Sequence, residues 1–436
     1  MMSEKAKMSI NRMTNKFLIL GLAVVSVLSS CTTDDILAPD NFDPDEVMDP
    51  NHVEVRNSNY EIQLSGGGSN SMRTIFETTE EDKKFYTGDM ASSLGVFCLA
   101  YDKLSDSNLI PDVSWKSDDA NITNFNVWMK NVEANTFAGT DNGNIPGKVY
   151  WTKDAKKPET PIKYYYPMGG WYKYAFYSYF PRVSNTKVSI EKGDYVAVAQ
   201  ISIDGRRDVL WGKTWTGSPY AYSAKFFHQE GNRDTIPMLS MRHVLARLRF
   251  QAVAGESSWN DGKEETVADQ EIEITDIRVL NVPNEIGLVV AHSSQKADQE
   301  GVLVPSETAK MGSYVLKESD DTPFAKGRYK FTEQHVSEDK PMYLGGNDVD
   351  TSAQPTGDGI LLPPIDENAD PYTIQVTMTD NSGESIVQVV TLETPKGGFK
   401  AGVAYWVKIT INARKEISLE ATLAPWEEGE TLELEF

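Results

Sequence analysis

The sequence predicts an all-β protein made of two β-sandwich domains in tandem, with helices few and short. Three observations predict it. Apolar and polar residues alternate strictly over several runs, as the half-buried strands of antiparallel sheets require. The stretches between those runs are loaded with Gly, Asp, Asn and Pro, the residues that turns need. Beyond the N-terminal segment, no apolar stripe of helical period runs longer than about 12 residues. Many short strands with regular turn signals indicate sandwiches, and the roughly 385 residues that follow the first 51 of this 436-residue chain exceed what one core accommodates.

Taken in order, the strands begin with "YEIQL", where Tyr60, Ile62 and Leu64 alternate with polar residues. In "SLGVFCLAYD", Leu94, Val96, Cys98 and Ala100 share one face. Residues 163–181, "KYYYPMGGWYKYAFYSYFP", crowd aromatics together. There Tyr172, Tyr174 and Phe176 alternate with Lys173, Ala175 and Tyr177, as in a strand that packs rings on both faces. A sugar-stacking platform that includes Trp171 and Tyr174 is the alternative. "HVLARLRFQAVA" sets Val244, Ala246, Leu248, Phe250 and Ala252 against His243, Leu245, Arg247 and Arg249. In "EIEITDIRVL" the phase slips between Ile274 and Ile277, which predicts a β-bulge. "YTIQVTMTD" and "YWVKITINA" return to strict alternation, with Tyr372, Ile374, Val376 and Met378, then Tyr405, Val407, Ile409 and Ile411. The seam between domains is expected near residues 241–245.

The N-terminus speaks of compartment. Lys5, Lys7, Arg12 and Lys16 precede an uncharged apolar run at residues 17–28, the layout of a secretion signal. That run is about 12 residues long, short of the roughly 20 that a spanning helix needs. It ends in "LSSC", which resembles the lipobox of bacterial lipoproteins, with Cys31 as the residue that is lipidated and becomes the mature N-terminus. The signal thus covers residues 1–31, and the Asp- and Pro-rich residues 32–51 form an acidic tether too poor in apolar groups to fold. Asp34 and Asp35 resemble the acidic export signal of surface lipoproteins in Bacteroidetes-type bacteria. Cys98 is the other cysteine, so with Cys31 acylated there is no intramolecular disulfide, and its strand position suits a buried thiol.

A formal charge of −22 argues against nucleic acid as a partner and keeps a secreted protein soluble. The five histidines, His52, His228, His243, His292 and His335, follow no metalloprotease spacing. There is no nucleophile elbow, no phosphate-cradling glycine loop and no cysteine pair for zinc. Asp348, Asp350 and Asp358 lie in one Gly-rich loop without the register of a calcium-binding EF-hand, so a plain acidic turn is the simpler reading. No catalytic residue, cofactor or metal site is therefore expected, and an enzyme is the least favoured class.

Several stretches occur in the order found in fimbrillins, the subunits of type V pili in Bacteroidales: "LSSC", "MRTIF", "FYTGDMASSLGVFCLAYD", "GGWYKYAFYSYFP", "RRDVLWG", "PMLSMRHVLARLRF", "FKAGVAYWVKITI" and "ISLEATLAPWEEG". The chain resembles that family over nearly its whole length, although residues 255–364 carry no such landmark. The resemblance implies two transthyretin-like β-sandwiches, export as an outer-membrane lipoprotein, and removal of the N-terminal segment at the cell surface by an arginine-specific or trypsin-like protease. It further implies that the first strand leaves with that segment and that a strand of another pilin subunit fills the vacancy. Arg73 followed by Thr74 falls where such cleavage is expected, although Met72 stands where the family often has Thr. On this basis residues 52–73 hold the N-terminal strand and the cleavable end, residues 74–242 the first sandwich and residues 243–436 the second.

The strand that would be lost carries Val53, Val55, Tyr60, Ile62 and Leu64. Five such side chains, if buried, contribute on the order of 10 kcal/mol. Their removal would open a groove with unpaired backbone, an edge that recruits another strand. "SGGGSNS" ahead of Arg73 makes the bond accessible to a protease, whereas Arg56 lies inside a strand-like run; an uncut linker is the alternative for Arg73. At the other end, Ile417, Leu419, Leu423, Leu432, Leu434 and Phe436 alternate with polar residues around a break at residues 425–429. They are candidates for the donor strand and equally for the last strands of the second sandwich. The functional expectation is a polymerising pilin for adhesion or biofilm formation, with a permanently lipidated, glycan-binding surface protein as the alternative.

Overall fold

The computed structural model describes residues 57–66, 94–102, 127–137, 147–151, 153–154, 157–167, 172–189, 195–214, 221–292, 298–318, 322–332, 341–345, 359–413 and 415–424. In chain order its strands are β1 (Asn57–Glu61), β2 (Leu64–Gly66), β3 (Leu94–Asp102), β4 (Val127–Phe137), β5 (Gly147–Trp151), β6 (Lys153–Asp154), β7 (Lys157–Pro161), β8 (Tyr165–Pro167), β9 (Tyr172–Phe180), β10 (Val188–Ser189), β11 (Tyr195–Ser202), β12 (Leu210–Lys213) and β13 (Met238–His243). They continue as β14 (Ala246–Ala254), β15 (Ser258–Asn260), β16 (Lys263–Glu265), β17 (Glu273–Pro283), β18 (Glu285–His292), β19 (Leu303–Pro305), β20 (Met311–Val315), β21 (Met342–Leu344), β22 (Ile360–Leu362), β23 (Thr373–Thr379), β24 (Ser385–Thr391), β25 (Ala404–Ile411) and β26 (Ile417–Ala424). The α-helix among the described residues, α1 (Ala224–His228), is five residues long. The fold is all-β.

Seven strands close into a barrel in the order β12-β13-β2-β5-β4-β3-β9, with β9 pairing back to β12. Every one of them sends a side chain inward: Leu64, Leu94, Val96, Cys98, Met129, Val149, Phe176, Leu210, Leu239 and Met241 form one buried cluster. The opposite faces of β3, β9 and β12 are apolar too, and Phe97, Leu99, Tyr177, Tyr179 and Trp211 join a second, larger cluster outside the barrel. Aromatic alternation in β9 is thus a strand buried on both sides. Burial pushes the Cys98 thiol well above its ordinary range, consistent with an inert, packed thiol.

β4 bulges opposite Phe97, between the pairs Val96↔Val132 and Cys98↔Met129. Asn131, at φ +47°, takes the left-handed conformation that Asn tolerates better than most residues. Its amide donates to the Val183 carbonyl at 2.9 Å and accepts from the Tyr179 hydroxyl at 2.7 Å.

The outer face of the barrel is covered by a four-stranded sheet, β10-β11-β18-β19, which takes strands from both sides of residue 243. The Trp211 indole on the barrel donates to the Val290 carbonyl on this sheet at 2.8 Å. Glu300, fully buried between β18 and β19, accepts from the Tyr177 hydroxyl at 2.9 Å and pairs with Lys213 at 2.5 Å, while its carbonyl accepts from Arg242 at 2.7 Å. Three barrel strands therefore hold one carboxylate-bearing loop.

The chain leaves the barrel between His243 and Ala246, a turn pinned by the buried pair of His243 with Asp208. Beyond it two sheets face each other. One contains β21 and β22 beside β14, then β25 and β26; the other runs β20-β17-β23-β24. Leu248, Phe250, Val407, Ile409, Ile374, Val376 and Ile277 are fully buried in the same large cluster. β14 and β25 pair in parallel over eight residue pairs. The expected bulge is present, as a register shift between Ile274 and Asp276.

Two outcomes are expected. A Cβ at Gly95 would lie 2.2 Å from the Tyr179 ring and 2.6 Å from Asn131 Oδ1. Gly95→Ala should cost about 1 to 3 kcal/mol in denaturant unfolding, because neither partner has room to retreat. Glu285, at the start of β18, is held at about 2, below its ordinary value of 4.5, first by the Lys187 ammonium and then by the hydroxyls of Thr308 and Ser306. A depressed carboxylate stabilises the fold above its unfolded value and loses that contribution as pH falls from about 4.5 towards 2. Thermal melts should therefore fall less steeply over that window in Glu285→Gln than in the parent.

Candidate functional site

The candidate site is the seam in the barrel filled by the N-terminal segment. β2 is three residues long, yet it is the strand between β13 and β5. It runs parallel to β13, with Ser65 opposite Met238 and Gly66 opposite Leu239. It runs antiparallel to β5, with Leu64 opposite Val149, Ser65 opposite Lys148 and Gly66 opposite Gly147. Ahead of it, β1 pairs with β8 across an irregular register.

Ile62 and Leu64 are 1% and 2% exposed and point into the barrel core. Tyr60 is half-buried against the same cluster, its ring 6.0 Å from Phe227 and its hydroxyl 3.3 Å from His228 Nδ1. Main-chain groups are tied at each step. The Ile62 amide donates to the Tyr164 carbonyl at 2.7 Å, and the Trp151 indole donates to the Ile62 carbonyl at 3.1 Å. Tyr166 donates to the Gln63 carbonyl at 3.3 Å, and the Ser65 amide donates to the Pro237 carbonyl at 3.0 Å. Burial raises the Tyr166 phenol well above its ordinary range, so it stays a neutral donor. Lys163 and Glu61 close the exposed end at 2.9 Å.

Two of the five side chains expected in the strand thus carry deep burial, worth about 3 to 6 kcal/mol. Val53 and Val55 lie outside the described residues.

Helix α1 buttresses the segment from one side. Ser223 caps it by accepting from the Phe226 amide, and Phe226 and Phe227 are buried, the latter stacked 4.1 Å from Tyr166. Between the helix, Tyr60, Glu61, Gln63 and the loop carrying Arg233, Asp234, Thr235 and Ile236 lies a cavity of about 380 Å³. Sequence reasoning missed α1 and this loop, because a five-residue helix leaves no periodic signal.

Cys31, Arg73 and Thr74 lie outside the described residues, as do Trp171, Leu432, Leu434, Phe436 and the loop with Asp348, Asp350 and Asp358. At the other end, β26 pairs with β25 along its full length from Ile417 to Ala424. Ile417, Leu419 and Ala421 pack against the large core. Leu423 is opposite Tyr405 in that ladder. The N-terminal seam and β26 belong to different sheets.

Tyr174, proposed in the alternative as part of a sugar platform, is 3% exposed and packs in the barrel core, and Phe176, Tyr177, Tyr179 and Phe180 are buried beside it. Rings committed to two cores present no face for stacking. Among the described residues, no group of three or more His, Cys, Asp or Glu side chains is placed to hold a metal ion, and no helix is long and apolar enough to cross a membrane.

A model of the fimbrillin-like family matches residues 112–426. No curated protein matches the chain. Among solved structures, it is similar to a putative cell adhesion protein from Bacteroides ovatus, with 11% identity over 86% of this chain and 100% of that one at a TM-score of 0.42. A putative cell adhesion protein from Bacteroides uniformis has 12% identity over 84% and 99%, at 0.40. The fimbrial anchor protein Mfa2 from Porphyromonas gingivalis has 9% identity over 78% and 91%, at 0.28. These three likenesses carry no argument about function, whereas the family match spans well over half of the sequence. The chain belongs to the fimbrillin-like family.

Proposed function

We propose that this chain is a pilin, exported as a lipoprotein through Cys31, cut after Arg73 by an arginine-specific or trypsin-like protease, and polymerised into surface fimbriae by strand exchange. The observation that carries the reading is the position of β2. It joins β13 to β5 and lies just upstream of the glycine-rich stretch that leads to Arg73. Cutting there releases the residues that fill the seam. The vacated seam would expose the core positions of Ile62 and Leu64 and two strand edges, one asking for a parallel partner and one for an antiparallel partner. Only an extended segment with apolar residues two apart satisfies both.

The C-terminal residues of a neighbouring copy are the proposed source of that segment. β26 lies at the edge of its sheet beside β25, so it leaves that sheet without opening a ladder on its other side. Before cleavage the lipid holds the precursor at the outer membrane. After cleavage the subunit is held by its neighbours, for adhesion or biofilm formation.

Trypsin treatment of the purified precursor should clip at Arg73 and convert monomers into a high-mass ladder on gels, with Thr74 as the new N-terminus. Arg73→Ala should give no high-mass ladder and stay lipid-bound, and clipping of the parent without a ladder would overturn the reading. A second outcome separates precursor from filament. Ile62→Ala should destabilise the precursor by about 2 to 5 kcal/mol. The same substitution should leave the melting of assembled filaments unchanged, because the altered strand has been discarded. Filaments weakened as much as the precursor would mean that the strand is retained.

A further inference from the structure

The seam is not the only place where this chain offers a strand edge. β24 ends the sheet β20-β17-β23-β24, and no described strand pairs with its outer side. Its seven residues pair with β23 without a register shift, so no bulge twists the edge away. Val387 and Val389 are 53% and 55% exposed. The strand, "SIVQVVT", contains no charged residue and no proline.

Exposed edges are ordinarily blunted by brevity, bulges, charge or proline. The other described edges follow that rule: β10 has two residues and β19 three, β20 is shifted in register against β17, and β26 carries Glu420. β24 uses none of these devices.

We infer that β24 is a self-association edge, at which two copies of this chain pair β24 with β24 in antiparallel fashion about a two-fold axis through Gln388. The sequence of the strand supplies the argument for the occupant, because it reads almost the same in both directions. Antiparallel pairing centred on Gln388 sets Ser385 opposite Thr391, Ile386 opposite Val390 and Val387 opposite Val389 of the second copy. Each pair matches in size and polarity, and the two exposed valines of each copy meet as a cluster of four on the outer face. A two-fold contact needs such a self-complementary patch.

Charge agrees with this assignment. Copies carrying −22 each repel one another, but the repulsion is screened beyond about 8 Å at physiological ionic strength. An uncharged strand is where two such chains approach at least cost. Seven residues span about 24 Å. Such a contact falls in the class below about 1,200 Å² that gives weak complexes. It holds poorly between free copies and gains strength where copies are arrayed. The inference is independent of strand exchange at the N-terminus.

The test uses the whole chain carrying Arg73→Ala, so that assembly through cleavage at that bond is silent. Sedimentation velocity over a wide concentration range should show a monomer–dimer equilibrium that shifts towards dimer as salt rises. Adding Val387→Lys and Val389→Lys should weaken the dimer by about tenfold or more while leaving the melting point of the monomer unchanged, because both side chains are exposed. Under mild oxidation Gln388→Cys should form a disulfide-linked dimer, whereas Ser385→Cys, roughly 20 Å from its own copy across the axis, should not. Cys98 is buried and does not compete, and Cys31 is replaced by Ser in the chain used for this test. A chain that stays monomeric throughout, a dimer that survives both lysines, or cross-linking through Ser385→Cys rather than Gln388→Cys would each overturn the assignment.

Discussion

The barrel depends on one constraint: β13 and β5 are joined through three residues of an N-terminal strand, parallel to one neighbour and antiparallel to the other. Hydrogen bonds alone do not make this position important, since so short a ladder contributes few. Its weight comes from Ile62 and Leu64, which fill space reached by side chains from all the other barrel strands. A closed barrel removes every sheet edge, so taking out one strand creates two edges and a cavity together.

The division of the interior into two clusters limits the damage. Ile62 and Leu64 belong to the smaller cluster inside the barrel. The larger one, which binds the outer barrel face to the remaining sheets, contains neither. Glu300, gripped by Tyr177 and Lys213 and backed by Arg242 at its carbonyl, fixes that outer face through groups that the N-terminal segment does not touch. Loss of the segment therefore leaves most of the packed core in place. A subunit that is to survive with a slot open needs this separation.

Two kinds of edge follow from the architecture. The seam at β2 is filled by the chain's own N-terminal segment, and its demand is specific, because an occupant must satisfy a parallel and an antiparallel neighbour while burying two side chains. The edge at β24 is paired with no other strand among the described residues and asks for much less, an uncharged strand of matching polarity. One suits a strong, ordered connection; the other suits a weak contact whose effect grows with the number of copies.

Much of the β character was legible in the residues themselves. Period-two alternation located β14, β23 and β25, and the phase slip at Ile274 foretold the register shift, because the side-chain direction in a strand depends only on local backbone geometry. The aromatic crowding in β9 was readable as packing on two faces for the same reason. Which strand neighbours which was not readable. The parallel pairing of β14 with β25, the sheet that unites β11 with β18, and the insertion of β2 between β13 and β5 join residues far apart in sequence, and alternation is identical whatever the partner. Burial of Glu300 was equally silent, since a carboxylate is drawn into a core only where a hydroxyl and an ammonium from other strands converge on it. Side-chain alternation was enough to predict that the chain would be made of strands and which face of each would be apolar. That a ten-residue N-terminal segment closes the barrel emerges solely in three dimensions, because that role is a property of the gap between two other strands.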